Sequence, residues 1–281
     1  MYEHIEYKVN APVATITLNR PDRLNAWTGR MSYEVKHALD QAEKNKDVVG
    51  IIITGAGRAF CAGADMADLQ TLTGDVEGDV HKVEIDPEIK NVSPGDADFP
   101  EGFRRGFAYI SSIKKPVIAA VNGPCAGMAF SISLFCDFRF MGESGLFMSA
   151  FSQRGLIAEF GASWMLNRLV GLDRALDILY SSRKISAAES VEMGLATRVY
   201  KDEELIPQCE AYIQHLADKC APLSIQLMKR QAFADLHRSL DEGLNDADEL
   251  MAMTHKWDEI KEGVRAFTQK RAPNFTRIGE G

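Results

Sequence analysis

The chain has 281 residues, of which 46% are apolar and 26% charged, with a formal net charge of −8. That length suits one large domain with an appendage, and the composition is that of an ordinary globular protein. An acidic balance with no long basic run excludes nucleic acid as the main partner. Five cysteines without a CxxC and scattered histidines imply a reduced, cytoplasmic protein without a zinc site. The N-terminal residues lack the basic-then-apolar order of a secretory signal.

Apolar residues at 4–9 and 13–18, broken by Asn10-Ala11-Pro12, predict an opening hairpin. Trp27, Met31, Val35, Ala38, Leu39 and Ala42 recur at helical spacing, with Thr28 as the cap. Residues 48–54 read as a strand buried on both faces. From 72 to 100 the chain is acidic, rich in Gly, Asp and Pro, and without sustained period. Such composition buries little, so a mobile insertion or a lid is expected there. Helical spacing resumes over 102–113. Next comes the longest nearly uncharged run, 116–137, PVIAAVNGPCAGMAFSISLFCD, whose length alone would admit a membrane span. Pro116, Asn122-Gly123-Pro124 and Gly127 divide it instead into a strand at 117–121, a tight turn and a helix start. No membrane contact is expected. At such a helix start backbone N–H groups point outward, ready to meet negative charge. Short strands follow at 138–141 and 146–148. After Gly161 nearly everything is helical: 164–170, 175–180 and 187–193, then amphipathic helices at 204–219, 223–236 and 240–254, which would cover the core or a neighbouring subunit. Strand, helix, strand order implies a parallel, helix-covered α/β architecture, with a core over 1–200 and a helical region over 201–281.

Gly55-Ala56-Gly57 follows a buried strand, but Phe60 stands where a dinucleotide fingerprint needs its third glycine. No GxSxG, GxxxxGK[ST] or HExxH occurs. What remains is a pair of glycine-containing turns, each directly after a buried strand: Ala59-Phe60-Cys61-Ala62-Gly63-Ala64-Asp65 and Asn122-Gly123-Pro124-Cys125-Ala126-Gly127-Met128. With these turns, the segment NRPDRLNA at 19–26, Cys136-Asp137, Arg154-Gly155-Leu156 and VRAFTQKR at 264–271, the chain resembles the crotonase superfamily, the enoyl-CoA hydratase and isomerase family. The resemblance covers nearly the whole chain; only the acidic loop lacks a counterpart in the smaller members.

The resemblance implies a crotonase-like spiral of ββα units with a C-terminal helical trimerisation region, assembled as a homotrimer or a dimer of trimers. It implies an acyl-CoA thioester substrate and no permanently bound cofactor, coenzyme A arriving as part of the substrate. Two backbone N–H groups that grip the thioester oxygen fall on Ala64 and Met128, where fixed donors suit a developing enolate. Met128 stands in place of the usual glycine or alanine. The two glutamates with which hydratases hold a water fall on Ser131 and Phe151, so a two-acid clamp is absent. Glu159 falls where dienoyl-CoA isomerases place an additional aspartate, in an apolar stretch that suits a proton shuttle. Its plainer role would be to offset the dipole of a helix beginning near Ala162. Ser131 would donate a hydrogen bond to substrate or water, or simply pack. Backbone around Arg23, Leu24, Ala62, Asp65 and Met66 would meet the nucleotide, with Phe267 and Lys270 closing over the adenine, often from another subunit. Asp65 has a plainer role too, as the cap of a helix starting at Met66.

Three readings follow. The leading one is isomerase- or hydratase-like proton transfer with one acid, Glu159. Another keeps the oxyanion hole but forms the enolate by bond breaking, in C–C hydrolysis or decarboxylation. The third is a non-catalytic CoA- or RNA-binding homologue, although the first helix balances Arg30, Lys36 and Lys44 with Glu34, Asp40 and Glu43. Trp164, Phe103, Phe107, Phe130 and Phe151 either shape a roomy pocket for a bulky or branched acyl group or belong to the core.

Overall fold

The computed structural model describes residues 2–66, 70 and 84–279. Strand β1 (Ile5–Asn10) pairs antiparallel with β2 (Val13–Leu18), which lies parallel to β3 (Gly50–Gly55). The sheet continues in parallel through β4 (Val117–Val121), β6 (Phe138–Gly142) and β9 (Arg198–Tyr200), in the order β1-β2-β3-β4-β6-β9. A second layer holds β5 (Pro124–Ala126), β7 (Leu146–Met148) and β8 (Ile185–Ser186). The chain steps from the large sheet to this layer and then into a helix: β4, β5 and α2 (Met128–Leu134), then β6, β7 and α3 (Ala162–Val170). This repetition is the spiral of ββα units.

The uninterrupted apolar run of β3 follows from burial on both faces. Ile51 and Ile53 join Leu18, Val117 and Val121 under α1 (Gly29–Lys44). Ile52, pointing the other way, meets Ile118 and Phe140 beneath α6 (Leu205–Lys219), which contributes Leu205, Cys209 and Ile213. A side chain at Gly50 would stand 2.7 Å from Ile213, so helix and strand pack backbone-close. Helix α6 is thus part of the main body. Among the described residues no helix is long and apolar enough to cross a membrane.

Thr28 caps α1 as expected, its Oγ1 accepting the Met31 N–H at 3.1 Å. Thr28→Ala should lower stability by about 1 kcal/mol, read as a shifted urea midpoint at an unchanged slope. At the other end the buried Lys115 ammonium donates to Ala42 O (2.9 Å) and Asn45 O (2.6 Å). Burial depresses its pKa to about 8. The unfolded chain therefore holds this proton to higher pH than the folded one, and the group adds stability as pH rises through 8. Between pH 8 and 9, parallel denaturations should show the wild type gaining about 1 kcal/mol relative to Lys115→Met. A constant difference would contradict the depressed value.

The helix expected at 102–113 is broken. A 3-10 turn at Glu101–Arg104 and a single helical turn at Tyr109–Ser112 flank residues 105–108, where Gly106 takes a left-handed φ of 53°. Of the acidic stretch expected to be mobile, residues 72–83 lie outside the described residues. The remainder, 84–100, is packed down: Ile89 and Phe99 are buried, Gly95 N–H binds Glu43 at 2.8 Å, and Gln226 donates to Asp96 at 3.0 Å.

Gln226 belongs to α7 (Pro222–Ala234). From the same helix Lys229 reaches Asp137 at 2.7 Å, just past the end of α2. Helices α8 (Leu240–Thr254) and α9 (Asp258–Thr268) leave Leu240, Leu244, Met251, Val264 and Phe267 exposed.

Candidate active site

Two asparagines, Asn25 fully buried and Asn122 partly so, shape the first turn. Asn25, itself left-handed (φ 54°), accepts the Arg20 N–H at 2.9 Å and donates to Ala56 O and Ala59 O at 2.9 and 2.8 Å. Asn122 accepts the Gly55 N–H and donates to Gly55 O and Gly57 O. Side chains almost 100 positions apart in sequence therefore hold both ends of the loop that delivers Cys61 to Ala64.

The two turns are then joined edge to edge. Cys61 N–H donates to Pro124 O (3.0 Å), and Ala126 N–H to Cys61 O (3.1 Å), a parallel bridge between Cys61 and Cys125. A second bridge ties Trp27 to Ala64 through Trp27 N–H to Gly63 O (2.7 Å) and Asp65 N–H to Trp27 O (2.9 Å). In that pattern the neighbours of Ala64 make the bonds, so its own N–H faces away from Trp27. In the other turn Gly127 has φ 54° and ψ −118°, a conformation closed to L side chains. It reverses the chain so that Met128 opens α2, where a first-turn amide has no intrahelical acceptor. Among the described residues neither the Ala64 nor the Met128 amide makes a hydrogen bond, and both residues line one cavity of about 600 Å³.

Two stretches of chain line this cavity: one, bridged at Trp27 and Ala64, contributes Arg23, Trp27, Ala62 and Met66, and the other contributes Phe151, Arg154, Leu156 and Glu159. Phe107 spans them, its ring 5.5 Å from Trp27 and 5.0 Å from Phe160. The charged lining side chains among the described residues are Arg23, Arg154 and Glu159. Glu159 is half-buried. The left-handed pair Phe160 and Gly161 turns the chain into α3, and the carbonyl of Glu159, not its carboxylate, receives the Ala162 N–H at 3.0 Å. Its carboxylate accepts no hydrogen bond among the described residues, so it does not serve α3 as a cap.

Ala64, Met128, Glu159, Arg23, Ala62 and Met66 thus share the cavity; the other expected residues do not line it. Ser131 is fully buried, and its Oγ approaches the Glu159 carbonyl at 3.4 Å. It braces the segment bearing Glu159 and is not among the residues lining the cavity. The Asp65 carboxylate is taken by Arg20 (2.7 Å), which also donates to Ala26 O. Leu24 contributes its carbonyl to the Ala62 N–H at 2.9 Å. Phe267 is 87% exposed on α9, and Lys270 follows that helix in a left-handed turn. Of the aromatic residues, Phe107 and Phe151 line the cavity. Phe103 and Trp164 pack elsewhere, Trp164 stacking on His237 at 5.1 Å and lying under Arg168 at 3.8 Å. Phe130 packs on Phe147 in the core. Asn25, Asn122, Arg154 and Phe160 received no role from the sequence, although three of them lie within the motifs quoted above.

A family model described as enoyl-CoA hydratase/isomerase matches residues 8–278. The 1,2-epoxyphenylacetyl-CoA isomerase of Escherichia coli is 31% identical over 98% of this chain and 99% of its own length. A probable enoyl-CoA hydratase of Rhodobacter capsulatus is 32% identical over 98% of each chain. The crystal structure of an enoyl-CoA hydratase from Polaromonas sp. JS666 superimposes with a TM-score of 0.82 at 27% identity, covering 96% of this chain and 99% of that one.

Proposed function

The chain belongs to the enoyl-CoA hydratase/isomerase family, and from that premise we propose that it moves a double bond in an acyl-CoA thioester by way of an enolate. The thioester oxygen sits between the Ala64 and Met128 amides, where two fixed donors stabilise charge as it develops. Glu159 takes a proton from one carbon and returns it to another. The observation that carries this reading is the pair of unengaged amides on bridged turns, opening onto a cavity that holds one carboxylate among the described residues. Hydration in the two-acid manner is disfavoured, because Ser131 is buried and Phe151 is a hydrocarbon wall. The similarity to a relative named as an isomerase points the same way.

Arg23, which lines the same cavity, meets the coenzyme A phosphates. Phe267 and Lys270 reach the adenine of a neighbouring copy in a trimer, which also covers the apolar faces of α8 and α9. Sedimentation equilibrium should accordingly give the mass of a trimer or of a dimer of trimers. No resident cofactor is required; coenzyme A enters with the substrate.

Incubating the protein with enoyl, β-keto and malonyl-type thioesters and identifying products by mass spectrometry tests the reaction. Isomerised enoyl-CoA is the expected product, with Glu159→Gln slowing turnover about 10²- to 10⁴-fold. Unchanged turnover in Glu159→Gln would remove its role. Cleavage or decarboxylation of the β-keto or malonyl thioesters alone would replace isomerisation by chemistry that forms the enolate through bond breaking.

A further inference from the structure

We propose that Arg154 is a specificity-determining residue that recognises a carboxylate at the far end of the acyl chain, so that the preferred substrates are monothioesters of dicarboxylic acids. This rests on the acyl-CoA reading of the cavity and names the substrate class within it.

Arg154 ends the 3-10 turn Ser152–Arg154, in the segment that leaves β7. That segment is fixed to the second donor turn, since Met148 O accepts the Gly127 N–H at 3.0 Å. The guanidinium is held in turn by one bond, Nη1 to Ala150 O at 2.9 Å, from a left-handed Ala150 (φ 59°). Its remaining N–H groups have no acceptor, and it forms no ion pair, among the described residues. Glu159, the one carboxylate lining the cavity among the described residues, does not pair with it.

The lining residues nearest to it in sequence, Ala150, Phe151, Leu156 and Phe160, are hydrocarbon. Arg154 itself is exposed to solvent; an acyl chain that fills the cavity displaces water from it, and an anion carried by that chain replaces the lost solvation. The planar fork of an arginine matches a carboxylate with two parallel N–H bonds. In the proposed reading the coenzyme's phosphates have their own cation in Arg23, on the stretch of chain bridged to the Ala62–Met66 turn. Arg154 lies instead on the segment of Phe151 and Glu159, which receives the acyl group in the proposed chemistry.

The test compares binding of glutaryl-CoA and butyryl-CoA, which differ by a carboxylate on the terminal methyl and lack the double bond that would react. Titration calorimetry on the full chain should show glutaryl-CoA binding about 10- to 100-fold more tightly. Arg154→Met should erase that preference by weakening glutaryl-CoA, with butyryl-CoA little changed, and Arg154→Lys should restore part of it. Equal affinities in the wild type would overturn the proposal while leaving the acyl-CoA reading intact. So would equal weakening of both ligands by Arg154→Met, the mark of a coenzyme phosphate contact. Binding of neither thioester would overturn the acyl-CoA reading itself and this proposal with it.

Discussion

Gly127→Ala should reduce thioester turnover about 10²- to 10³-fold, the loss associated with one misplaced oxyanion donor. The cause is backbone conformation and not crowding, because a Cβ at this position would meet no atom closer than Ser149 O at 3.9 Å. An L side chain does not tolerate φ 54° with ψ −118°, and the strain of about 1–3 kcal/mol is relieved by rotating the Gly127–Met128 peptide. That rotation swings the Met128 N–H away from the thioester oxygen. Since the interaction strengthens as charge develops, kcat should fall more than KM rises. Circular dichroism and a melting curve would show whether the fold persists. A folded variant with native kcat would eliminate the Met128 amide as a donor.

The second large effect is expected far from the cavity. Lys229→Met should destabilise the fold by about 3–5 kcal/mol, because it strands the Asp137 carboxylate in the interior. Asp137 Oδ2 accepts from Lys229 Nζ and from the Val117 N–H, each at 2.7 Å. Burial pushes the Asp137 carboxyl up, against the pull of Lys229 and of that amide. Without the lysine the carboxyl rises further, and a group whose folded pKa exceeds its unfolded value costs stability above that pKa and stops doing so as pH falls through it. The deficit of Lys229→Met relative to the native chain should therefore shrink on acidification below neutrality. Adding Asp137→Asn should recover part of the loss at neutral pH, and urea titrations of the two single variants and the double variant give the coupling. Additive losses would mean that the pair is not coupled.

Local chemistry made much of this architecture readable in the sequence. A strand covered on both faces announces itself as unbroken apolar residues, as in Ile51-Ile52-Ile53, and a threonine before a helical period announces a cap. The resemblance supplied the two donor positions. Strands β5 and β8 are too short to show a period, so Pro124–Ala126 reads as turn although it pairs with β7. The helical spacing of 102–113 is real, yet one left-handed glycine divides it. Asp65 reads as a helix cap, and no period announces that its carboxylate also holds Arg20, 45 positions earlier in the chain. Arg154 is a motif residue by sequence and a cavity residue only once β7 is fastened to the Gly127 turn. Apart from that glycine, the missing information was a partner distant in sequence, which periodicity does not encode.

The bridge between Cys61 and Cys125 separates two tasks that are often entangled. Because the turns bearing Ala64 and Met128 are laced as neighbouring strands, the spacing of the two donors is set by backbone ladder geometry. In the proposed mechanism the side chains that select a substrate or shuttle its proton sit largely on the 150–160 segment, outside that bridge. On that reading acids and acyl contacts are exchangeable modules: a lineage can replace Glu159, Arg154 or Phe151 and inherit the pair of amides unaltered.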